Sequence, residues 1–278
     1  MNPVLSLTLG GWQINTNSYR LFFILAAAAT ITLGTIAAYR RGLPTRRCLG
    51  CLLLMATAVP IGARLMDAAT KRNLYTENPS GLWAVDLTGF SMFGGLLLAS
   101  AVGIVACRRL RIDLVRMADS VAPALGIGIA LMRIGCFEAG CCFGEVCDLP
   151  WAVTFPAGSE PHLYQMLSGG GIFSLGSPLP VHPTQLYEAA AGLIGSGLTL
   201  WILAGKRTEG TAFLFFAGWY SGFRLVNHLF RVPGSSLTVS EQFYPILYAA
   251  ILLAATATLI LREKPTICSL QSCFGKSR

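Results

Sequence analysis

Apolar and polar positions follow one another along this chain in long blocks, not at the short periods of a soluble strand or surface helix. Apolar runs recur at about 19–39, 47–67, 90–107, 114–135, 184–204, 211–230 and 242–261. A helix of about 20 residues crosses the ~30 Å hydrocarbon core of a bilayer. The pattern therefore predicts an all-α integral membrane protein with about seven transmembrane helices. With no internal repeat, low-complexity tract or flexible linker, residues 1–278 read as one polytopic domain carrying an external segment at about 136–182.

Composition supports the pattern: 54% of residues are hydrophobic and 12% charged, and the mean hydropathy is +0.59. A soluble protein of this length would need more amphipathic helices. The net charge of +8 raises the question of nucleic acid, but the placement of the charge answers it. Arg40, Arg41, Arg46 and Arg47 follow the first run, and Arg108, Arg109, Arg111 and Arg116 the third. Lys206 and Arg207 follow the fifth, and Arg262, Lys264, Lys276 and Arg278 the seventh. Segment 136–182 has neither Lys nor Arg. Alternate connections thus carry the basic residues, which orients the amino terminus outward and the carboxyl terminus toward the cytoplasm. The surplus orients the protein and meets anionic lipid; no nucleic-acid partner is expected. The first run is expected to be retained, because only Arg20 precedes it and the basic cluster follows it.

Polar residues inside the runs carry the chemistry. Tyr220, Arg224, Asn227, His228 and Arg231 recur at helical spacing in the sixth run and form one stripe. Arg224 lies at least a turn deeper than Arg231 and suits a buried anion, whereas Arg231 suits either that role or the outer interface. The fifth run opens His182-Pro-Thr-Gln-Leu-Tyr-Glu188. Pro183 fits a helix start, Gln185 and Glu188 share a face, and Glu188 is expected to pair with an arginine. Arg64 and Asp67 form another candidate pair, and Gly94-Gly95 suits close helix packing or access to a lipid headgroup. In Arg133-Ile-Gly-Cys-Phe-Glu-Ala-Gly-Cys-Cys-Phe-Gly144, Arg133 is expected where a helix leaves the bilayer. Together Arg133, Arg224 and Arg64 describe an outer-leaflet pocket for an amphiphile with a phosphate headgroup.

The same segment holds Cys136, Cys141 and Cys142, with Cys147 just beyond. On an external face these are candidates for one or two structural disulfides or for reactive thiols. Adjacent cysteines and an oxidising compartment argue against a zinc site, so neither metal nor cofactor is expected. Cys48-x-x-Cys51 and Cys268-x4-Cys273 fall at cytoplasmic ends and receive no role.

Taken in order, these motifs resemble the bacterial prolipoprotein diacylglyceryl transferases. The likeness runs through Asn17-Ser18-Tyr19, Gly62-Ala63-Arg64, Ser91-Met-Phe-Gly94-Gly95, Arg133-Ile-Gly135 to Gly144, Leu149-Pro150-Trp151-Ala152, His182 to Glu188, and Tyr220-Ser-Gly-Phe-Arg224. The resemblance implies transfer of the diacylglyceryl group of phosphatidylglycerol to the thiol of a prelipoprotein lipobox cysteine. Glycerol phosphate would leave, at an active site facing the outer leaflet of the bacterial cytoplasmic (inner) membrane. It further implies Arg133 and Arg224 as headgroup and leaving-group clamps. Tyr19, Arg64, Gly144, Gln185, Glu188 and Tyr220 would surround the substrates.

The chain departs from the family pattern at the proton-handling positions. The usual histidine before Gly-Gly is Phe93, the usual asparagine after Arg-Ile-Gly is Cys136, and Ala139 and Cys141 replace an asparagine and an acid. His228 stands where a glutamate is usual, so His228 and His182 become candidate bases. These departures keep two other readings open: the same lipid donor with a different acceptor, or a non-catalytic lipid-binding or thiol-redox membrane protein.

Overall fold

The computed structural model describes residues 4–9, 12–70, 72–77, 92–168, 177–205, 207–232 and 243–274. Side chains are described from Thr16 to Arg262 of these, Leu74, Glu77 and Met92 apart. The chain opens with an antiparallel hairpin of β1 (Val4–Leu9) and β2 (Trp12–Asn17), pairing Val4 with Asn17. This small sheet departs from the all-α expectation. Its cause is the alternation Leu5-Ser-Leu-Thr-Leu9, a strand period that long apolar blocks do not reveal.

Nine helices follow among the described residues: α1 (Ser18–Arg40), α2 (Thr45–Thr70), α3 (Arg72–Glu77), α4 (Met92–Arg109), α5 (Leu114–Ala139), α6 (Glu160–Ser168), α7 (Thr184–Ala204), α8 (Thr211–His228) and α9 (Phe243–Phe274). The side chain of Asn17 accepts a hydrogen bond from the Tyr19 amide and so caps α1. Five helices are long and apolar enough to cross a membrane: α1, α2, α5, α7 and the Phe243–Arg262 part of α9. The third and sixth apolar runs form α4 and α8, each of 18 residues.

Helix α5 lies at the centre, packed on α1, α7 and α8, while α2 pairs with α4 and α9 covers α8. Small residues set the closest approaches. A Cβ on Gly62 of α2 would lie 2.4 Å from the Gly94 carbonyl oxygen of α4. One on Gly126 of α5 would lie 2.3 Å from the Gly192 carbonyl oxygen of α7. Gly94 is thus a packing residue, as in other close helix pairs. Outward faces remain apolar, with Ile24, Leu65, Leu97, Leu193, Trp201 and Leu253 all exposed. A buried cluster at one end joins Ala38, Leu43, Cys48, Cys51, Cys107 and Met117. There the Cys51 and Cys107 sulfurs lie 3.7 Å apart as free thiols. The side chains of Lys264, Cys268 and Cys273 lie outside the described residues.

At that same end Asp119 of α5 caps a different helix. Its carboxylate accepts from the amides of Gly210 (2.7 Å) and Phe213 (2.9 Å) at the start of α8 and lies 3.6 Å from Arg41 Nη2. The carboxylate satisfies two otherwise unpaired amides and opposes a cation. Asp119→Ala is expected to cost about 3 kcal/mol, because it strands a partly buried arginine and two amides. Denaturant unfolding in detergent measures this; wild-type stability would remove Asp119 from its anchoring role.

At the opposite end α5 runs further than its hydrophobicity suggests, ending at Gly140, whose φ of 76° suits a glycine cap. Arg133 therefore lies inside the helix, about 9 Å before its end. Cys136 sits on the last turn of α5. Beyond Gly140 the chain is stitched down by isolated bridges between Gly144 and Arg231, Val146 and Val181, and Val153 and Val181. Phe143, Phe155 and Val181 form a small core beneath them.

Candidate functional site

Pro183 precedes Thr184, the first residue of α7, and the helix carries Glu188 into the bundle one turn later. Glu188 is 1% exposed. An isolated carboxylate there would be costly, and the neighbouring helices compensate it. Arg133 Nε of α5 lies 2.6 Å from Glu188 Oε2, a close ion contact without an aligned N–H. From α8, Arg224 Nη1 pairs with Glu188 Oε1, Asn227 Nδ2 donates to that oxygen at 2.9 Å, and Tyr220 donates to Oε2 at 3.2 Å. Arg231, just past α8, comes within 4.0 Å of Oε1. Residues 220, 224 and 227 meet one acid because spacings of three and four share a helix face, and the turn after α8 brings Arg231 to the same carboxylate.

Three guanidinium groups around one carboxylate leave a net charge of +2 when all are ionised. Arg224 is further fixed by Tyr248 of α9: Nη2 donates to its hydroxyl at 3.0 Å, and the guanidinium lies 5.0 Å from its ring centroid. Such a cluster is already ordered and still short of negative charge. Chemically it can accept an anion, with a forked guanidinium geometry suited to phosphate.

The other candidates are held by contacts of their own. Gln185 donates to the Cys141 carbonyl at 2.7 Å and Thr184 to the Cys142 carbonyl at 2.8 Å, tying the loop after α5 to the start of α7. Gly144 is a wedge: an added Cβ would lie 2.5 Å from the Phe230 carbonyl oxygen and 2.6 Å from His182 Cβ. The His182 ring turns to Tyr187 (Nδ1 to hydroxyl, 3.3 Å), whose hydroxyl accepts from Trp151 Nε1 at 2.8 Å. His228 ends α8, half-buried, one turn beyond Arg224. Arg64 Nη1 reaches the Tyr75 hydroxyl at 3.4 Å, and that hydroxyl donates to Asp67 at 2.6 Å. Tyr19, the second residue of α1, lies within electrostatic reach of Arg133 and the cysteines. Phe93, at the usual histidine position, packs edge-on against Phe243 at 5.3 Å.

Cys136, Cys141, Cys142 and Cys147 are free thiols. The first three bring their sulfurs within 4.8 Å of one another. Cys147 is held elsewhere, its amide donating to the Pro180 carbonyl. Hydrogen bonds from Cys136 and Cys141, together with the positive charge of Arg231 and Arg133, hold the Cys142 thiol well below the ordinary range. The same sulfur contacts push Cys141 up.

Two members of the site stand outside the residues chosen from sequence. Asn227 belongs to the polar stripe and was legible there as a neighbour of Arg224, although the stripe does not say that it binds Glu188. Tyr248 has no sequence signal, since α9 is apolar on both sides of it. Arg231 reaches Glu188 at 4.0 Å while remaining 25% exposed.

The family model described as prolipoprotein diacylglyceryl transferase matches residues 5–262. The phosphatidylglycerol–prolipoprotein diacylglyceryl transferase of Geobacter sulfurreducens is 34% identical over 225 residues, 79% of this chain and 79% of that protein. The protein of the same name from Bordetella avium is 30% identical over 241 residues, 85% of this chain and 84% of its own length. That of Pseudoalteromonas translucida is 33% identical over 171 residues, 61% and 57% respectively. With the match extending over nearly the whole chain and including every helix that contributes to the arginine cluster, the chain belongs to the prolipoprotein diacylglyceryl transferase family.

Proposed function

We propose that this protein transfers the diacylglyceryl group of phosphatidylglycerol to the cysteine thiol of a prolipoprotein and releases glycerol phosphate. The observation that carries the proposal is the buried Glu188 with Arg133, Arg224 and Arg231 around it, which is cationic and bordered by lipid-facing helices. Breaking a carbon–oxygen bond to phosphate builds negative charge on the leaving group, and positioned guanidinium groups stabilise that charge as it develops. Arg133 and Arg224 hold the headgroup, Tyr220 and Glu188 keep them in place, and Gln185 and Gly144 shape the loop above. Tyr19 borders the acceptor side. His182 and His228 are the histidines placed at the outer helix ends to take the acceptor's proton.

The seven apolar runs and the alternation of basic connections support seven crossings of the cytoplasmic membrane, with the site facing the outer leaflet. Purified protein in phosphatidylglycerol micelles, given a lipobox peptide, is expected to release glycerol phosphate and yield a thioether-linked peptide. Release without peptide modification would point to a different acceptor. That second reading draws on Phe93, an apolar ring seated against Phe243 at the position where the family's proposed base is usual. Intact lipid after prolonged incubation would overturn the transferase reading.

A further inference from the structure

Three thiols at the outer end of α5 have no task in the reading above. Cys136, Cys141 and Cys142 are free, with sulfurs within 4.8 Å of one another. Adjacency of Cys141 and Cys142 argues against a shared ligand site in sequence, but the backbone removes that objection. Gly140 and Cys142 both adopt left-handed conformations, φ 76° and 61°, and so fold the loop back over the last turn of α5. A non-glycine residue there costs on the order of 1 kcal/mol. The turn is held from outside by Gln185 and Thr184 on the Cys141 and Cys142 carbonyls. Those tethers come from the turn of α7 that leads to Glu188. Arg133 joins the two groups, its Nη1 lying 3.9 Å from Cys136 Sγ.

We infer that Cys136, Cys141 and Cys142 bind one zinc ion whose fourth position receives the acceptor thiol. The inference rests on the transferase reading and supplies the half of the reaction for which Phe93 has no chemistry. Tetrahedral zinc with bonds of about 2.3 Å places its sulfurs about 3.8 Å apart, so a contraction of roughly 1 Å closes the site. Three protein ligands and an open position characterise catalytic zinc, whereas structural zinc is closed by four. Zinc deprotonates a coordinating thiol outright. The thiol proton passes to His182 or His228 as the zinc–sulfur bond forms. A sulfur lone pair then attacks the glyceryl carbon that bears the phosphate. The new carbon–sulfur bond replaces the carbon–oxygen bond, whose electron pair leaves with glycerol phosphate toward Arg133 and Arg224. The neutral thioether is a weak zinc ligand and departs, reopening the position.

The test uses the full chain, purified under reducing conditions, stripped of metal and titrated with Co2+ or Cd2+ alone. One ion per chain with a thiolate-to-metal charge-transfer band is expected. Affinity should fall at least tenfold in Cys136→Ser, Cys141→Ser and Cys142→Ser and hold in Cys147→Ser. A lipobox peptide should shift the cobalt spectrum of the unmutated protein, and its serine analogue should not, a readout independent of how the variants fold. Chelation should lower transfer at least 100-fold, with recovery on adding zinc. Absence of the band, or a disulfide between any two of these thiols in protein isolated from membranes, overturns the zinc site. Full transfer by the metal-free protein overturns it too and leaves the transferase reading standing. A bound ion indifferent to the peptide thiol, with no glycerol phosphate released, overturns the transferase reading itself.

Discussion

Glu188→Gln is expected to destabilise the folded protein by about 3–5 kcal/mol, the range for removing one partner of a buried ion pair. Glutamine keeps the shape of the side chain and its oxygen contact with Asn227. What it loses is the only carboxylate that the described residues place against Arg133, Arg224 and Arg231. The first two of these guanidinium groups are only 12% and 13% exposed, so water replaces little of the missing charge. Thermal unfolding in detergent reads the loss directly. An added anion supplies a diagnostic second measurement. Inorganic phosphate or phosphatidylglycerol should raise the melting temperature of the glutamine variant more than that of the wild type, since it fills the vacated charge. Equal shifts in the two proteins would mean that the anion binds elsewhere.

Arg133→Ala and Arg224→Ala should show the opposite balance, with transfer reduced about 10²–10³-fold, the range for losing one positioned transition-state donor. Stability should fall less than in the glutamine variant. Glu188 then retains the other arginine and its hydrogen bonds from Asn227 and Tyr220, so no carboxylate is left bare. Lysine at either position keeps the charge and loses the fork, and should recover only part of the rate. Arg231, 4.0 Å from the acid and 25% exposed, should matter least to stability, at up to about 1 kcal/mol. Full transfer by both alanine variants would remove the headgroup from this cluster.

Much of this organisation is visible in the sequence because it is periodic. Pro183 and Gly205 bracket α7, and its observed span of Thr184–Ala204 coincides with the apolar run. The stripe on α8 follows from spacing alone. Features that depend on partners distant in sequence are not visible in this way. Tyr248 meets Arg224 only because α9 packs on α8. Asp119 caps a helix that begins more than 90 residues later. The end of α5 was obscured differently. Glu138 interrupts the apolar run just after Gly135, so hydrophobicity ends the run early, whereas Gly140 marks the end of the helix. Cys147 looks equivalent to its neighbours in sequence, but its backbone bond to Pro180 carries it into the bridged loop and away from the sulfur cluster.

The charge compensation at Glu188 also bears on how the chain enters the membrane during synthesis. Helix α8 carries Arg224 and Asn227 within only 18 residues, with Arg231 just behind. A lone arginine on an unpartnered helix opposes insertion. Its counter-ion is already waiting on α7, the helix made immediately before, and Asp119 of α5 is in place to receive the first amides of α8. Insertion of the sixth apolar segment is therefore expected to depend on earlier ones, with the Glu188 contacts forming as α8 pairs with α7.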